Sequence, residues 1–300
     1  MRGIQLKVGI IGGGAIGLLI SAYLASEHSI TIYTKREEQK QIINKQGIHL
    51  KEITSTKGVN ASILSELQNE DCFIVCVKQS NITSVLPFIK QIDEKTPVIF
   101  LQNGMGHIDE VSRLTQPVIL GVVEHGALKI NDSTVSHTGR GRIYLAPYEK
   151  KSNERTKKLA NTLNQSDFPI ESKEEWHPLL MDKLIINAVI NPITSLFGVK
   201  NKEVVNNSRI SYLAKKICQE SASVLQMDPT ASWERVQKVA LSTSENTSSM
   251  LKDIQESRKT EIEGITGYII HNKKSKELPY STFIYYSIKA IEEMKGIKEE

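Results

Sequence analysis

Near its N-terminus the chain reads Val8-Gly-Ile-Ile-Gly12-Gly13-Gly14-Ala15-Ile16-Gly17, a glycine fingerprint placed directly behind a β-branched strand. Gly12, Gly14 and Gly17 fall at the G-x-G-x-x-G spacing. In that pattern the first glycine permits a tight turn and the second lets backbone approach a pyrophosphate. The third lets helix and strand pack closely. The apolar run 18–25 reads as the helix that follows, its N-terminal amides turned toward an anion. The stretch from Gly12 through Gly13, Gly14, Ala15 and Ile16 to Gly17 is therefore expected to hold a dinucleotide. A glycine-rich turn without function is the alternative, and the strand before and helix after weigh against it.

The first half of the chain continues the pattern this loop demands. Short β-branched runs at 8–11, 30–34, 72–77, 98–102 and 118–123 alternate with helical periodicity, which predicts a mostly parallel sheet covered on both faces. Residues 134–137 and 139–146 read as a hairpin or added edge strands, and a last strand is expected near 168–170. From Glu174 onward the pattern is helical, over 174–190, 207–227, 232–240, 247–273 and 281–294. Pro178 suits a first helical turn, and Pro192 predicts a break after Asn191. The expectation is an α/β chain of two domains: a dinucleotide-binding sheet domain over 1–173 and an all-α domain over 174–300, in a chain long enough for two cores.

Bulk properties exclude several classes. No apolar stretch approaches the roughly 20 residues of a membrane span, and Met1-Arg-Gly-Ile-Gln-Leu-Lys7 enters the first strand without a signal-peptide h-region. A dispersed net charge of +4 does not argue for nucleic acid. Cys72, Cys76 and Cys218 form no CxxC pair and no His cluster accompanies them, so no metal is expected. Thiols of this kind read as small core residues of a cytoplasmic protein. Amphipathic C-terminal helices fit an intramolecular core as well as a homodimer contact.

Dinucleotide choice is written after the second strand. An NAD site carries Asp or Glu there for the ribose hydroxyls, whereas this chain has Lys35 and Arg36 after Ile30-Thr-Ile-Tyr-Thr34. Two cations at that turn suit a 2′-phosphate, with Arg able to bind it in bidentate fashion. NADP(H) is predicted over NAD(H). Ligands in open α/β sheets lie beyond the carboxyl ends of the strands. Lys78, Asn103 and the segment Glu124-His125-Gly126-Ala127 occupy such positions. Asn103-Gly104 is also a turn signal, and His125 reads at least as well as a structural residue as an acid.

A second constellation lies in the helical half. Lys183, Asn187 and Asn191 are spaced four apart, so they line one face of a helix amid Leu184, Ile185, Ile186, Val189 and Ile190. A sheltered lysine with two amides needs polar partners, which a ligand supplies. Burial eases deprotonation of an ammonium, suiting Lys183 to donate a proton near neutral pH. Ser249 offers a hydroxyl for a carboxylate, with Asn246 about one turn earlier. Glu261 lies twelve residues after Ser249, about 120° off its stripe on a straight helix. Spacing alone does not bring the two together.

Taken together, the glycine loop, Lys78, Gln102-Asn103-Gly104-Met105, Lys183-x-x-x-Asn187-x-x-x-Asn191-Pro192 and the block from Ser248-Ser249-Met250 to Thr260-Glu261-Ile262 resemble the ketopantoate reductase family over nearly the whole chain. The resemblance implies a Rossmann-type domain joined to a helical domain, and NADPH-dependent reduction of 2-dehydropantoate to (R)-pantoate on the route to coenzyme A. It implies Lys183 as general acid, with Asn103 and Glu261 in the catalytic set. Asn187, Asn191, Asn201, Asn246 and Ser249 would hold substrate beside Lys183. Asn103, Ala127 and Glu261 would contact the cofactor or bridge it to substrate, and Lys78 would approach its adenosine end. Gln79-Ser80-Asn81 departs from the aromatic-Gln of relatives, and Glu124-His125 adds charge at a turn that is often neutral. Rival readings are a reductase of the same architecture acting on another 2-keto acid or a 3-hydroxy acid, and a non-catalytic NADPH sensor. The acyl pocket is expected from Leu196, Phe197 and Val199, which does not fix the substrate.

Overall fold

Continuous burial along short β-branched runs is what builds the first unit. The computed structural model describes residues 4–51 and 56–297, so Met1–Gly3 of the expected leader-free start lie outside the described residues. The strands are β1 (Lys7–Ile11), β2 (Ser29–Thr34), β3 (Ile48–Leu50), β4 (Thr56–Lys57), β5 (Asn60–Ile63), β6 (Cys72–Val75), β7 (Val98–Phe100), β8 (Val118–Val123), β9 (Gly126–Lys129), β10 (Thr134–Gly139), β11 (Ile143–Pro147) and β12 (Ile170–Ser172). Between them run α1 (Ala15–Leu24), α2 (Glu37–Gln46), α3 (Ile82–Ile89), α4 (Ile108–Val111) and α5 (Asn153–Leu163).

Eight strands form one sheet in the order β12-β11-β8-β7-β6-β1-β2-β5, parallel except at the β8–β11 pair. β6 and β7 are buried at every residue, as strands covered on both faces must be. β1 lies between β2 and β6, so the chain leaves it in one direction and later returns on the other side. That reversal opens a crevice at the carboxyl end of β1, where the glycine loop begins.

A second, four-stranded sheet runs β4-β3-β10-β9. Helix α1 contacts strands of both sheets, which explains why Gly17–Leu24 is buried throughout and apolar on every side. Residues 134–146, expected as a hairpin or as added edge strands, do form two strands, but these do not pair with each other as a hairpin. Instead β10 pairs with β9 in the small sheet, and β11 pairs antiparallel with β8 in the large one. The last strand falls at Ile170–Ser172, two residues later than expected.

The described chain divides into two compact units, one running to Gln102 and over His107–Trp176, the other comprising Asn103–Gly106 and the chain from His177 onward. The second is helical: α6 (Trp176–Phe197), α7 (Glu203–Asn206), α8 (Ser208–Leu225), α9 (Pro229–Ser242), α10 (Ser249–Gln255), α11 (Tyr268–His271) and α12 (Pro279–Met294). Their starts are legible: Asn207 caps α8, Asp228 caps α9 ahead of Pro229, and Ser248 caps α10.

Three expectations are corrected here. Pro192 does not break its helix, because α6 runs on to Phe197 with both sides of the proline buried, and packing outweighs the missing backbone donor. Among the described residues α6 is long and apolar enough to cross a membrane, contrary to the expectation of no such stretch. Some 78% of its apolar window is buried inside the protein, the mark of a core helix. The continuous helix expected over 247–273 stops at Gln255. Ser257 takes a left-handed φ of 52°, and the Arg258 amide turns back onto the Asp253 carbonyl at 2.7 Å. A π-helical turn, Glu263–Gly267, then leads into α11.

Candidate functional site

The glycine loop has the local geometry its sequence promised. Gly12 adopts φ +114°, closed to most side chains, and its amide donates to the Tyr33 carbonyl at 2.9 Å. A Cβ on Gly17 would stand 1.9 Å from the Gly12 carbonyl oxygen, so helix and loop touch backbone to backbone. A Cβ on Gly14 would meet nothing, leaving open space beside the start of α1, whose N-terminus carries no side-chain cap. Uncapped amides facing open space suit an anion such as a pyrophosphate. Ala15 and Ile16 are the first two residues of that helix.

Beside the loop lies a polar cluster that the sequence did not announce. Gln39 of α2 donates to the Gly13 carbonyl at 2.8 Å and to the Asp132 carbonyl at 3.0 Å. Lys129, at the end of β9, donates to the Gly13 carbonyl at 3.1 Å and pairs with the Asp132 carboxylate at 2.8 Å. Arg36 makes an ion pair with that same carboxylate. Lys129 above all, assisted by Arg36, holds the Asp132 carboxyl below the usual carboxylate range. Lys35 is exposed on the preceding turn. A cation of the loop, Lys129, was thus missed, since it reaches Gly13 across 116 residues of sequence.

Other first-unit candidates divide clearly. Lys78 follows β6 and stands half-buried just before the short 3-10 turn Gln79–Asn81, which its side chain does not cap. Ala127 sits half-buried in β9 opposite His137. Glu124 is exposed. His125 is buried, its ring stacked on Phe168 at 4.3 Å and its Nδ1 3.0 Å from Nε2 of His137. Burial, and after it the His137 and Arg140 charges, pushes its pKa down to about 4. A neutral ring packed in this way is built as a core histidine.

In the second unit, α6 carries Lys183, Asn187 and Asn191 on one face, with Lys183 half-buried and both asparagines 7% exposed. Among the described residues the buried Asn187 Nδ2 has no hydrogen-bond partner, nor does the buried Asn201 Oδ1. Such atoms also occur elsewhere in the chain, at Gln116 and Ser221 for example, so what marks these two is their place beside the lysine-amide stripe, where a ligand's polar groups can pair with them. Asn201 is otherwise fixed, its Nδ2 donating to the Thr243 hydroxyl at 2.9 Å and its amide to the Asn246 carbonyl at 3.1 Å. Asn246 and Ser249 are exposed.

A pair of buried hydroxyls also ties the segment bearing Ser249 to α6. Thr194 of α6 and Ser248 share a hydrogen bond of 2.8 Å, and the Ser248 hydroxyl also accepts the Leu251 amide as the cap of α10. One side chain therefore ties the helix bearing Lys183 to the helix beginning at Ser249. Asn103 donates through Nδ2 to Glu261 Oε2 at 3.0 Å, and the Met105 amide donates to the Gly264 carbonyl at 3.2 Å. The turn at Gly104, φ +81°, permits this excursion, and the π-helical turn receiving it is a form enriched at functional sites. Of the apolar residues expected to shape an acyl pocket, Leu196 and Val199 are half-buried and Phe197 is exposed.

A parallel sheet with a glycine loop at its reversal, joined to a helical unit bearing a lysine-amide stripe, defines a two-unit protein of the Rossmann-type α/β class. Two family models match it, "Ketopantoate reductase PanE/ApbA" over residues 8–150 and "Ketopantoate reductase PanE/ApbA C terminal" over residues 175–292. The 2-dehydropantoate 2-reductase of Bacillus subtilis is 39% identical, with 96% of this chain and 98% of that protein covered. That of Listeria monocytogenes is 35% identical over 96% and 97%. A crystal structure of the probable Bacillus subtilis enzyme superposes with a TM-score of 0.87 at 38% identity, covering 95% of this chain and all of that one. The chain belongs to the ketopantoate reductase family. A D-mandelate dehydrogenase solved with NADH reaches a TM-score of 0.90 over 97% and 99%, but at 22% identity it shares the fold alone.

Proposed function

We propose that the protein reduces 2-dehydropantoate to (R)-pantoate with NADPH. The observation carrying this reading is the intact Lys183-Asn187-Asn191 stripe in a chain 39% identical, nearly end to end, to a 2-dehydropantoate 2-reductase. The first unit holds the dinucleotide through Gly12–Gly17, Lys35, Arg36 and Lys78, with Ala127 beside it. Fit to that group rests on the open space at Gly14 and the uncapped start of α1. The second holds the keto acid through Asn187, Asn191, Asn201, Asn246 and Ser249. When bound, NADPH supplies the hydride.

This chain's own residues manage charge and protons. Lys183 donates a proton to the oxygen of the reacting ketone, and its ammonium stabilises negative charge there before transfer. The Asn187 amide satisfies its orphaned Nδ2 on the substrate, adding orientation without charge. The Ser249 hydroxyl receives the carboxylate. Glu261, held by Asn103, orients the groups shared by cofactor and substrate. The reading places the reaction in the cytoplasm, and Cys72 and Cys218 take no part in it, because burial pushes their thiols up to about 12 and keeps them unreactive.

The direct test is NADPH consumption with a panel of 2-keto acids. The highest kcat/KM is expected for 2-dehydropantoate, and a clear preference for another keto acid would replace the substrate assignment. The Lys35→Ala, Arg36→Ala double variant is expected to lose affinity for NADPH while that for NADH holds; equal losses for both would remove these cations from phosphate recognition.

Thr194→Val keeps shape but breaks the tie to Ser248. Loss of a buried hydrogen bond of about 1 kcal/mol corresponds to a roughly fivefold rise in the KM for keto acid, with the KM for NADPH unchanged. Thr194→Ser is expected to restore it. A KM unaffected by the valine would mean that the hydroxyl pair does not position Ser249.

A further inference from the structure

Asp132 pairs with two cations of the first unit, Arg36 and Lys129. It lies in the turn between β9 and β10, yet that turn closes without its carboxylate: Asn131 Oδ1 accepts the Ser133 amide at 3.0 Å and the Thr134 amide at 2.8 Å. The Ile130 amide reaches the Thr134 carbonyl at 2.9 Å. The Asp132 carboxylate instead faces outward to Arg36 and Lys129, while its carbonyl takes Gln39. Arg36 belongs to the turn after β2, where the sequence places the reader of a 2′-phosphate. Lys129 and Gln39 both touch the glycine loop at Gly13. One carboxylate thus pairs with two cations at the rim of the dinucleotide loop, leaving one positive charge uncompensated, and the backbone hydrogen bonds that close its turn do not use it.

We propose that Asp132 is an internal counter-anion that competes with the 2′-phosphate of NADP(H) for Arg36 and Lys129, and so sets how strongly the site prefers the phosphorylated cofactor. The inference rests on the reading that the first unit binds NADP(H). A phosphate monoester carries about −1.5 to −2 charge near neutral pH, against −1 for the carboxylate, so it displaces Asp132 but loses part of its attraction in doing so. While the site is empty, the carboxylate keeps two like charges from repelling and holds them near Gly13. Cations already assembled lose less freedom on binding, so the device trades affinity for order.

The test is calorimetric titration of wild type, Asp132→Asn and Asp132→Ser with NADP⁺, NAD⁺ and 2′-AMP, without any turnover. Freeing two partly exposed ion pairs is expected to tighten NADP⁺ and 2′-AMP about three- to tenfold. NAD⁺ binding is expected to be unchanged, which also certifies that the variants are folded, and the gain is expected to shrink at high salt. Unchanged or weaker NADP⁺ binding in both variants, with NAD⁺ binding intact, overturns the competition and leaves the cofactor assignment standing. Wild type binding NADP⁺ no better than NAD⁺ overturns both.

Discussion

Lys183→Ala is expected to lower kcat for keto-acid reduction by about 10²–10⁴-fold, the usual penalty for losing a positioned acid. The substitution is mild for the fold. Alanine is the best helix former, Lys183 is only half-buried, and α6 is anchored by Leu184, Ile185, Ala188 and Val189, all buried. The melting temperature should therefore hold within a few degrees. Dinucleotide affinity, followed by NADPH fluorescence, should not move, because the glycine loop belongs to the other unit. Lys183→Arg separates charge from proton. A guanidinium keeps the positive charge but does not release a proton near neutrality, so the arginine variant is expected to bind keto acid while turnover stays low. Turnover near wild type in the alanine variant would take Lys183 out of the chemistry; recovery in the arginine variant would reduce its role to electrostatics.

How far such roles were readable depended on the range over which the physics acts. The glycine loop, α1 and the strands at 118–123 and 72–75 are local: one run of residues contains the turn, the helix start and the apolar face. The stripe Lys183-Asn187-Asn191 was equally readable, because helical periodicity alone places the three on one face. By contrast, β3, β4 and β9 are two to four residues long with little alternation. β3 and β9 lie against α1, which is buried over its last eight residues and offers a second face to cover, and β4 pairs with β3. The trio Arg36, Lys129 and Asp132 assembles only once that small sheet forms, so no spacing could disclose it. At 256–261 the helical periodicity was followed too far: Ser257-Arg-Lys-Thr260 contributes no apolar position, and Thr260 is instead held by Glu292 of α12 at 2.8 Å. The angular argument separating Ser249 from Glu261 lapses with the straight helix it assumed.

Gly17→Ala should be the most damaging single methyl in the first unit. The added carbon would lie 1.9 Å from the Gly12 carbonyl oxygen, and Cys76 Cβ stands 3.4 Å away on the other side. Side-chain rearrangement cannot relieve the first contact, because it is with backbone. Either α1 moves away from β1 or the Gly12 turn opens. Overpacking of this kind destabilises by about 1–3 kcal/mol, occasionally more, and a backbone clash belongs at the upper end. In a chain of 300 residues the upper part of that range lowers Tm by roughly 3–5 °C. Dinucleotide affinity should fall by more than the loss of stability alone explains, since either movement shifts the amides at the start of α1 that face the pyrophosphate. Gly14→Ala is the control: its Cβ meets no protein atom, so Tm should stay near wild type while NADPH binding weakens because the methyl enters the phosphate's space. If Gly17→Ala melts and binds like wild type, helix and loop have slack that the short contact denies, and the close backbone approach is not what shapes the site. If instead Gly14→Ala binds NADPH normally, the open space beside α1 is not where the phosphates sit.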